Sequence, residues 1–448
     1  MAIKIKKLKT KKIGSLVVLS VWISKIRKLG NLLFIIGQDS SGFSQFIIKK
    51  KDLIDDLKFR KKGDLIEFKG ELKKSLSSES DIEIEVFSYK ILNKTKDLPF
   101  EIRDDIHINE DIRYKYRYLD LRIPKKNDLL IKKSTFIHEV RNFLHKKGFN
   151  DIETPILAQD SPEGAKCFLV PFEVNKEERY FTLSQSPQIF KQLLMVSGFD
   201  KYYQIAKSFR NEDARSNRQI EFSQLDLEMS FTSSKKLKSL IENLLKSVLK
   251  KVFCKDIKTP FPSITYEESM RKYKADKPNF STEGEEFNFL WINDWKLFEY
   301  DEEAKKHNSL RHPFTSPKKK YIKRILEGKM NLEEVTGEAF DLVCNGEEIL
   351  SGSVRIHERE LQEKVFSLLG YKEEEREKFF GYFLKALDFA APPHGGVGFG
   401  VDRMLSVIMK TNNLKELIAF PKNIDGTCSL TGAPDRPKKK SNKKNSSN

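Results

Sequence analysis

The stretch Phe209 to Glu228, FRNEDARSNRQIEFSQLDLE, constrains this chain more than any other. Two segments of alternating character, Tyr203 to Phe209 and Phe222 to Met229, flank a charged, turn-prone loop, which is the pattern of an antiparallel hairpin. Arg210, Glu212 and Arg218 fall in the loop and Phe222 opens the return strand. Guanidinium forks suit phosphate oxygens, a carboxylate suits an exocyclic amine and an aromatic ring suits a purine face. The hairpin mouth therefore has the parts of a nucleoside triphosphate site. A solvated charged hairpin would use the same residue types.

Three further segments bear on this choice. GFGVDRM, Gly398 to Met404, sets Gly400 and Arg403 between a glycine-spaced run and the helical Leu405 to Met409, where backbone amides already favour anions. FDLVCNGEEIL, Phe340 to Leu350, reads as strand, turn and strand, with Asp341 and Glu348 on either side of the turn. Ser134 to Pro155 is an amphipathic run, with Phe136, Val140, Phe143 and Leu144 on its apolar face, followed by GFNDIETP.

In chain order, the Ser134, Phe209 and Gly398 segments resemble motifs 1, 2 and 3 of the class II aminoacyl-tRNA synthetases. The strings RYKYRYLDLR (Arg113 to Arg122), SPEGA (Ser161 to Ala165), QSPQIFKQLLM (Gln185 to Met195), HPFTSP (His312 to Pro317), SGSVRIH (Ser351 to His357) and IAFPK (Ile418 to Lys422) resemble the aspartyl branch of bacterial type. The likeness runs from about Val21 to Pro434. It implies ATP and L-aspartate as substrates, Mg2+ as the metal, tRNA(Asp) as the acceptor and a homodimer built on motif 1. Attack of the aspartate α-carboxylate on the α-phosphorus of ATP would release pyrophosphate, and the aspartyl group would then pass to the 3′-terminal adenosine of the tRNA. Two anions must meet, so positioning and charge neutralisation carry such a reaction, with Arg210 and Arg403 as the implied catalytic pair.

The same resemblance assigns the other roles. Arg210 meets the α-phosphate, Arg218 and Arg403 the γ-phosphate, and Phe222 stacks on adenine with Arg403 opposite. Glu212 accepts from the adenine amine, and Gly400 and Glu348 complete the ATP set. Asp341 and Glu348 hold the metal. Lys191 and Arg355 neutralise the aspartate side chain; Glu163, Ser186, Gln188 and Asp226 serve its ammonium, and His312 belongs to the same pocket. On spacing alone Lys191 is also a position on an amphipathic helix, Gln188 to Met195.

Four departures from the bacterial pattern stand out. Between Asp276-Lys277-Pro278 and Trp291 a large inserted domain is missing. Arg311 stands where bacterial members carry the first of two histidines, Ser351 replaces a glycine, and Lys28 replaces an aspartate. The anticodon-region substitutions at Lys28 and Ile26 leave open whether the enzyme charges tRNA(Asp) alone or tRNA(Asn) as well. A non-catalytic paralogue would be expected to lose motif arginines or metal acids, and here all are retained.

The fold class expected is α+β. Five β-rich runs (Leu16 to Ile26, Asn31 to Gly37, Phe43 to Lys49, Asp64 to Leu72, Ile82 to Ile91) and a helix near Lys51 to Phe59 suggest an OB-type barrel over residues 1–95. Lys25, Arg27, Phe34, Gln45 and Glu85 match the family's anticodon-contacting positions. Phe34 lies in a wholly apolar run, so it suits a barrel core as well as a stacking platform. A hinge is expected over 96–131, a catalytic domain with an antiparallel sheet flanked by helices over 132–434, and a disordered basic tail over 435–448. Lys plus Arg number 82 against 65 Asp plus Glu, a net charge of +17 that fits a polyanion partner and also a lysine-rich texture throughout. Four cysteines form no CxxC, and no segment resembles a signal peptide or membrane span, so the expectation is a cytoplasmic protein with no membrane or DNA partner.

Overall fold

Along the first strand Val17, Leu19, Val21 and Ile23 are buried and the residues between them are not, the period-two pattern of a strand with one wet face. The computed structural model describes residues 2–75, 81–104, 106–160, 166–215, 217–281, 284–411 and 413–436. In it β1 (Leu16–Leu29), β2 (Leu32–Asp39), β3 (Gly42–Ile48), β4 (Leu65–Lys74) and β5 (Ile82–Asn93) close into a barrel of order β1-β2-β3-β5-β4, with the helix Lys51–Leu57 between β3 and β4. All five expected strands and the helix form. Leu19, Val21, Leu33, Ile35, Phe46, Ile48, Ile66, Phe68 and Ile84 fill the interior. Gly70 sits at a register shift between β4 and β5, where a Cβ would lie 2.4 Å from the Glu85 carbonyl oxygen, so only glycine lets the strands approach this closely. This barrel and the described residues up to Leu129 form one compact unit with the described residues 428–436; the described residues of Leu130–Thr427 form the other. The expected tail lies outside the described residues from position 437 onward.

The second unit is built on eight strands: β6 (Asn150–Asp151), β10 (Lys201–Phe209), β11 (Glu221–Ser230), β12 (Ser263–Thr265), β13 (Phe289–Asn293), β16 (Ala339–Cys344), β17 (Glu347–Val354) and β18 (His394–Gly400). Their order is β12-β13-β16-β17-β18-β11-β10-β6, antiparallel except for the two outermost pairs. A three-stranded sheet, β7 (Leu157–Ala158), β8 (Leu169–Val174) and β9 (Glu177–Leu183), and a hairpin, β14 (Phe298–Asp301) and β15 (Lys306–Ser309), lie apart from it. The β10–β11 pair is the arginine hairpin, in register from Lys201–Met229 to Phe209–Glu221. The turn from β16 to β17 uses Asn345 and Gly346 at φ +50° and +83°, the two positive angles a tight two-residue hairpin demands.

Alternation gives this sheet two different faces. Leu225, Leu227, Leu350, Val397 and Phe399 are buried on one. The helix Ser234–Phe253 presents Leu237, Ile241, Leu244, Leu245, Val248 and Leu249 at three- and four-residue spacing, all buried, and a Cβ on Gly395 would reach Leu237 at 3.2 Å. This helix therefore covers the apolar face of β18 and leaves the polar face open.

Candidate active site

The floor of the site is a matched ladder. On β11, Gln224, Asp226 and Glu228 point to the polar face, and across the register they stand opposite Gly400, Gly398 and Gly396 of β18. A Cβ on Gly396 would lie 2.0 Å from Glu228 Oε2, and one on Gly398 would lie 2.4 Å from Gln224 Nε2. Gly396 and Gly398 thus give the space that the Glu228 and Gln224 side chains use. The same rows continue through Ser351 and Ser353 of β17 to Asp341 and Ala339 of β16.

Four buried charges hold the deep end. Lys191, on the helix Gln188–Val196, is 2% exposed; its Nζ donates to Asp226 Oδ1 at 2.8 Å and to the Val397 carbonyl at 3.4 Å, and lies 3.6 Å from Glu228 Oε2. Arg355 grips Glu228 with two bonds, Nε to Oε1 at 2.8 Å and Nη2 to Oε2 at 3.2 Å. Its Nη1 donates to Ser353 Oγ at 2.5 Å and to His312 Nε2. A guanidinium only donates, so His312 Nε2 accepts and the ring proton sits on Nδ1. Burial, with Arg355, Lys191 and Arg311 nearby, drives the His312 pKa well below its ordinary value, so the ring is neutral. For Glu228, burial works toward protonation, but Arg355 and Lys191 outweigh it and hold the carboxyl below its ordinary value. Each cation is thus already paired within the protein, although Lys191 and Arg355 Nη2 each keep one N–H beyond the bonds described here. Asp226 Oδ2 and Gln188 Nε2 are buried and have no partner among the described residues.

A cavity of about 430 Å³ opens above this floor. Its lining includes Ser186, Gln188, Lys191, Asp226, His312 and Arg355, and also Arg210, Glu212, Arg218, Phe222, Glu348, Gly400 and Arg403. The Arg210 guanidinium lies 5.3 Å from the Phe222 ring centroid. Arg218 pairs with Glu212 at 3.6 Å, an exposed contact worth less than about 1 kcal/mol. Arg403, in the first turn of the helix Val401–Ile408, donates to the Glu348 carbonyl at 2.9 Å. Glu163 lies outside the described residues.

Asp341 is buried beneath the cavity wall, outside its lining. Burial pushes its carboxyl up to about 6, against the pull of Arg311, and the charge of Glu348 adds to the rise. Its Oδ2 is ion-paired with Arg311, and its Oδ1 has no partner among the described residues. A buried orphan carboxylate oxygen beside a second carboxylate fits a magnesium ion, which needs few protein ligands because it keeps much of its water.

Several residues of this site escaped the sequence reading. Glu228 is the anchor of Arg355, and its signal was its place two residues after Asp226 on an alternating strand. Gly398 opened the GFGVDRM segment and Gly396 lies two residues before it, but the side chains they make room for lie on another strand. Asn217, Gln219, Gln224 and Lys277 also line the cavity.

On the barrel, the five expected anticodon positions share one outer face in two adjacent rows. Lys25, Ile36, Gln45 and Glu83 form one, and Arg27, Phe34, Ile47 and Glu85 the other. Leu33 and Ile35 are fully buried, so Phe34 points out of the core, with the Arg27 guanidinium 5.7 Å from its ring centroid. Gln45 donates to Glu83 at 2.9 Å and Lys49 pairs with Glu85 at 2.8 Å.

Residues 109–424 match the family profile described as tRNA synthetases class II (D, K and N), and residues 17–92 match that of the OB-fold nucleic acid binding domain. The chain belongs to the class II tRNA synthetases. Relatives at 32–35% identity over nearly the whole chain are named aspartate–tRNA ligases. The aspartate–tRNA(Asp/Asn) ligase of Dictyoglomus turgidum is 35% identical, with 95% of this chain and 94% of that protein aligned. The aspartate–tRNA ligase of Macrococcus caseolyticus is 33% identical, with 95% and 94% aligned. The first alignment runs over 562 positions against a chain of 448 residues, so at least 114 of them have no counterpart here. Among solved structures, asparaginyl-tRNA synthetase from Pyrococcus horikoshii complexed with asparaginyl-adenylate has a TM-score of 0.77 at 20% identity, covering 94% of this chain and 98% of that one. A putative aspartyl-tRNA synthetase from Leishmania major has a TM-score of 0.78 at 18% identity, covering 94% of each. These two speak to the fold. No helix among the described residues is long and apolar enough to cross a membrane.

Proposed function

We propose that this chain is an aspartate–tRNA ligase that forms aspartyl-adenylate from L-aspartate and ATP, releases pyrophosphate, and passes the aspartyl group to the 3′ end of tRNA(Asp). The observation that carries this reading is that two buried cations, Lys191 paired with Asp226 and Arg355 paired with Glu228, line the same cavity as Asp226, whose Oδ2 has no partner among the described residues. In this reading Lys191 and Arg355 bind the side-chain carboxylate of the substrate and the free Asp226 oxygen takes its ammonium, as aspartate requires. Asparagine would present an amide NH₂ to a donor, leaving a buried polar group unpaired at a cost of about 1–3 kcal/mol. Ser186, Gln188, His312 and Glu163 complete the amino-acid set.

In the same cavity, Phe222 receives adenine and Glu212 its amine. Arg210, Arg218 and Arg403 take the phosphates, and Gly400 leaves the backbone clear. A magnesium ion held by Asp341 and Glu348 would supply further neutralisation of phosphate charge. The protein's own groups hold the aspartate carboxylate in line with the α-phosphorus and stabilise charge on its oxygens, with Arg210 and Arg403 as the catalytic groups. A homodimer formed on the motif 1 helix, and a cytoplasmic site of action, belong to the same proposal.

The barrel face with Arg27 and Phe34 binds the anticodon. Phe34→Ala is expected to lower kcat/KM for tRNA charging about tenfold or more, the loss of one stacked base at about 1–3 kcal/mol, and to leave aspartate-dependent pyrophosphate exchange unchanged. Equal damage to both steps would make Phe34 a folding residue instead.

A second reading has one specific support: the Dictyoglomus turgidum relative is named for both tRNA(Asp) and tRNA(Asn). Charging of purified tRNA(Asp) and tRNA(Asn) transcripts with labelled aspartate decides between them. Charging of the first alone gives a discriminating enzyme, charging of both a non-discriminating one, and charging of neither by folded protein overturns the proposal.

A further inference from the structure

Arg311 does more at this site than fill the place of a histidine. Its guanidinium carbon lies 3.4 Å from the Trp295 ring centroid, its Nη2 pairs with Asp341 Oδ2, and its Nε is buried with no partner among the described residues. Stacking on one side and an ion pair on the other leave the group little freedom. Asp341 is 2% exposed, so solvent cannot loosen the pair as it does at a surface.

We infer that Arg311 sets the affinity of the Asp341–Glu348 pair for a divalent cation by placing a permanent positive charge on one oxygen of Asp341. The inference rests on the reading that these two acids hold the metal. Two carboxylates alone offer a dication two negative charges; Arg311, in contact with Asp341, cancels one of them, while Arg403, 3.9 Å from Glu348 Oε1 at a partly exposed contact, offsets the other only in part. A guanidinium does not deprotonate in a protein, so no change of pH in the working range removes this charge. Magnesium would be held here by few protein ligands, so each unit of charge would weigh heavily in its binding. Asp341 Oδ1 remains open to it. The site is therefore tuned to take its metal with the triphosphate, whose own oxygens supply the missing charge, rather than to hold free metal beforehand.

The test is binding of free Mn2+ without ATP, followed by the loss of its paramagnetic resonance signal at mildly alkaline pH. The wild-type protein and Arg311→Lys, which keeps the charge, should bind weakly and alike. Arg311→Gln should bind about tenfold more tightly or better, as expected when a unit charge within a few ångström of a dication is removed. Arg311→His, whose ring can still donate to Asp341, should tighten binding in the same direction and serves if the glutamine variant does not fold. Glu348→Gln in either background should weaken binding. If neither uncharged variant tightens binding while Glu348→Gln still weakens it, the role given to Arg311 is wrong. If Glu348→Gln changes nothing, the metal assignment itself fails, and the inference falls with it.

Discussion

Lys191→Leu is expected to raise the KM for aspartate about a hundredfold, the loss of a charge-assisted hydrogen bond of about 2–3 kcal/mol, while the KM for ATP stays within a few-fold of wild type. The same substitution has a second consequence that motif matching alone does not reveal. Lys191 is paired with Asp226 and near Glu228, both buried, so removing it strands carboxylate charge where water cannot reach. Breaking a buried pair from one side costs about 3–5 kcal/mol, and chemical denaturation should show a loss of that size. The double variant Lys191→Leu with Asp226→Asn removes both members and should recover much of that stability. It should not recover aspartate affinity, because the donor to the substrate carboxylate is still missing. A Lys191→Leu enzyme that activates aspartate with an unchanged KM would take Lys191 out of the pocket.

Local pattern reached some of this architecture and not the rest, for identifiable reasons. The β10–β11 hairpin, the Asn345–Gly346 turn and the glycine-spaced strand ahead of Arg403 are encoded by neighbours in the chain, through alternation and backbone angles. Phe34 was ambiguous because Leu32 to Ile36 is apolar at every position; only barrel closure, which buries Leu33 and Ile35, decides which parity faces out. Glu228 looked like any acid on a half-buried strand. Its role depends on Arg355, which lies 127 positions along the chain, and on Gly396, which makes room for it across the register. Arg311 was visible as a substitution, but its partners Asp341 and Trp295 come from other elements. The individual roles of the arginines came from resemblance to a family, since nothing in alternation or helical spacing tells an α-phosphate arginine from a surface one.

Arg210→Ala should lower kcat for aspartate-dependent pyrophosphate exchange about 10²–10³-fold, the usual loss when one preorganised donor to transition-state charge is removed. Arg210 suits this role because it is exposed at the end of β10 and held by little else: its described side-chain contact is the face of Phe222 at 5.3 Å, worth about 0.5–1 kcal/mol at such a site. Stability should therefore barely change, which separates this variant from Lys191→Leu, where fold and recognition are lost together. In-line attack places negative charge on the non-bridging oxygens of the α-phosphate as the carboxylate arrives and pyrophosphate leaves. A guanidinium fork spans two such oxygens, whereas an ammonium is a single point. Arg210→Lys should accordingly recover only part of the rate, with the deficit mainly in kcat rather than in the KM for ATP. A folded Arg210→Ala enzyme that exchanges pyrophosphate at the wild-type rate would break the assignment of this hairpin to the α-phosphate. The cavity would then have to neutralise that charge through Arg403 and the metal alone.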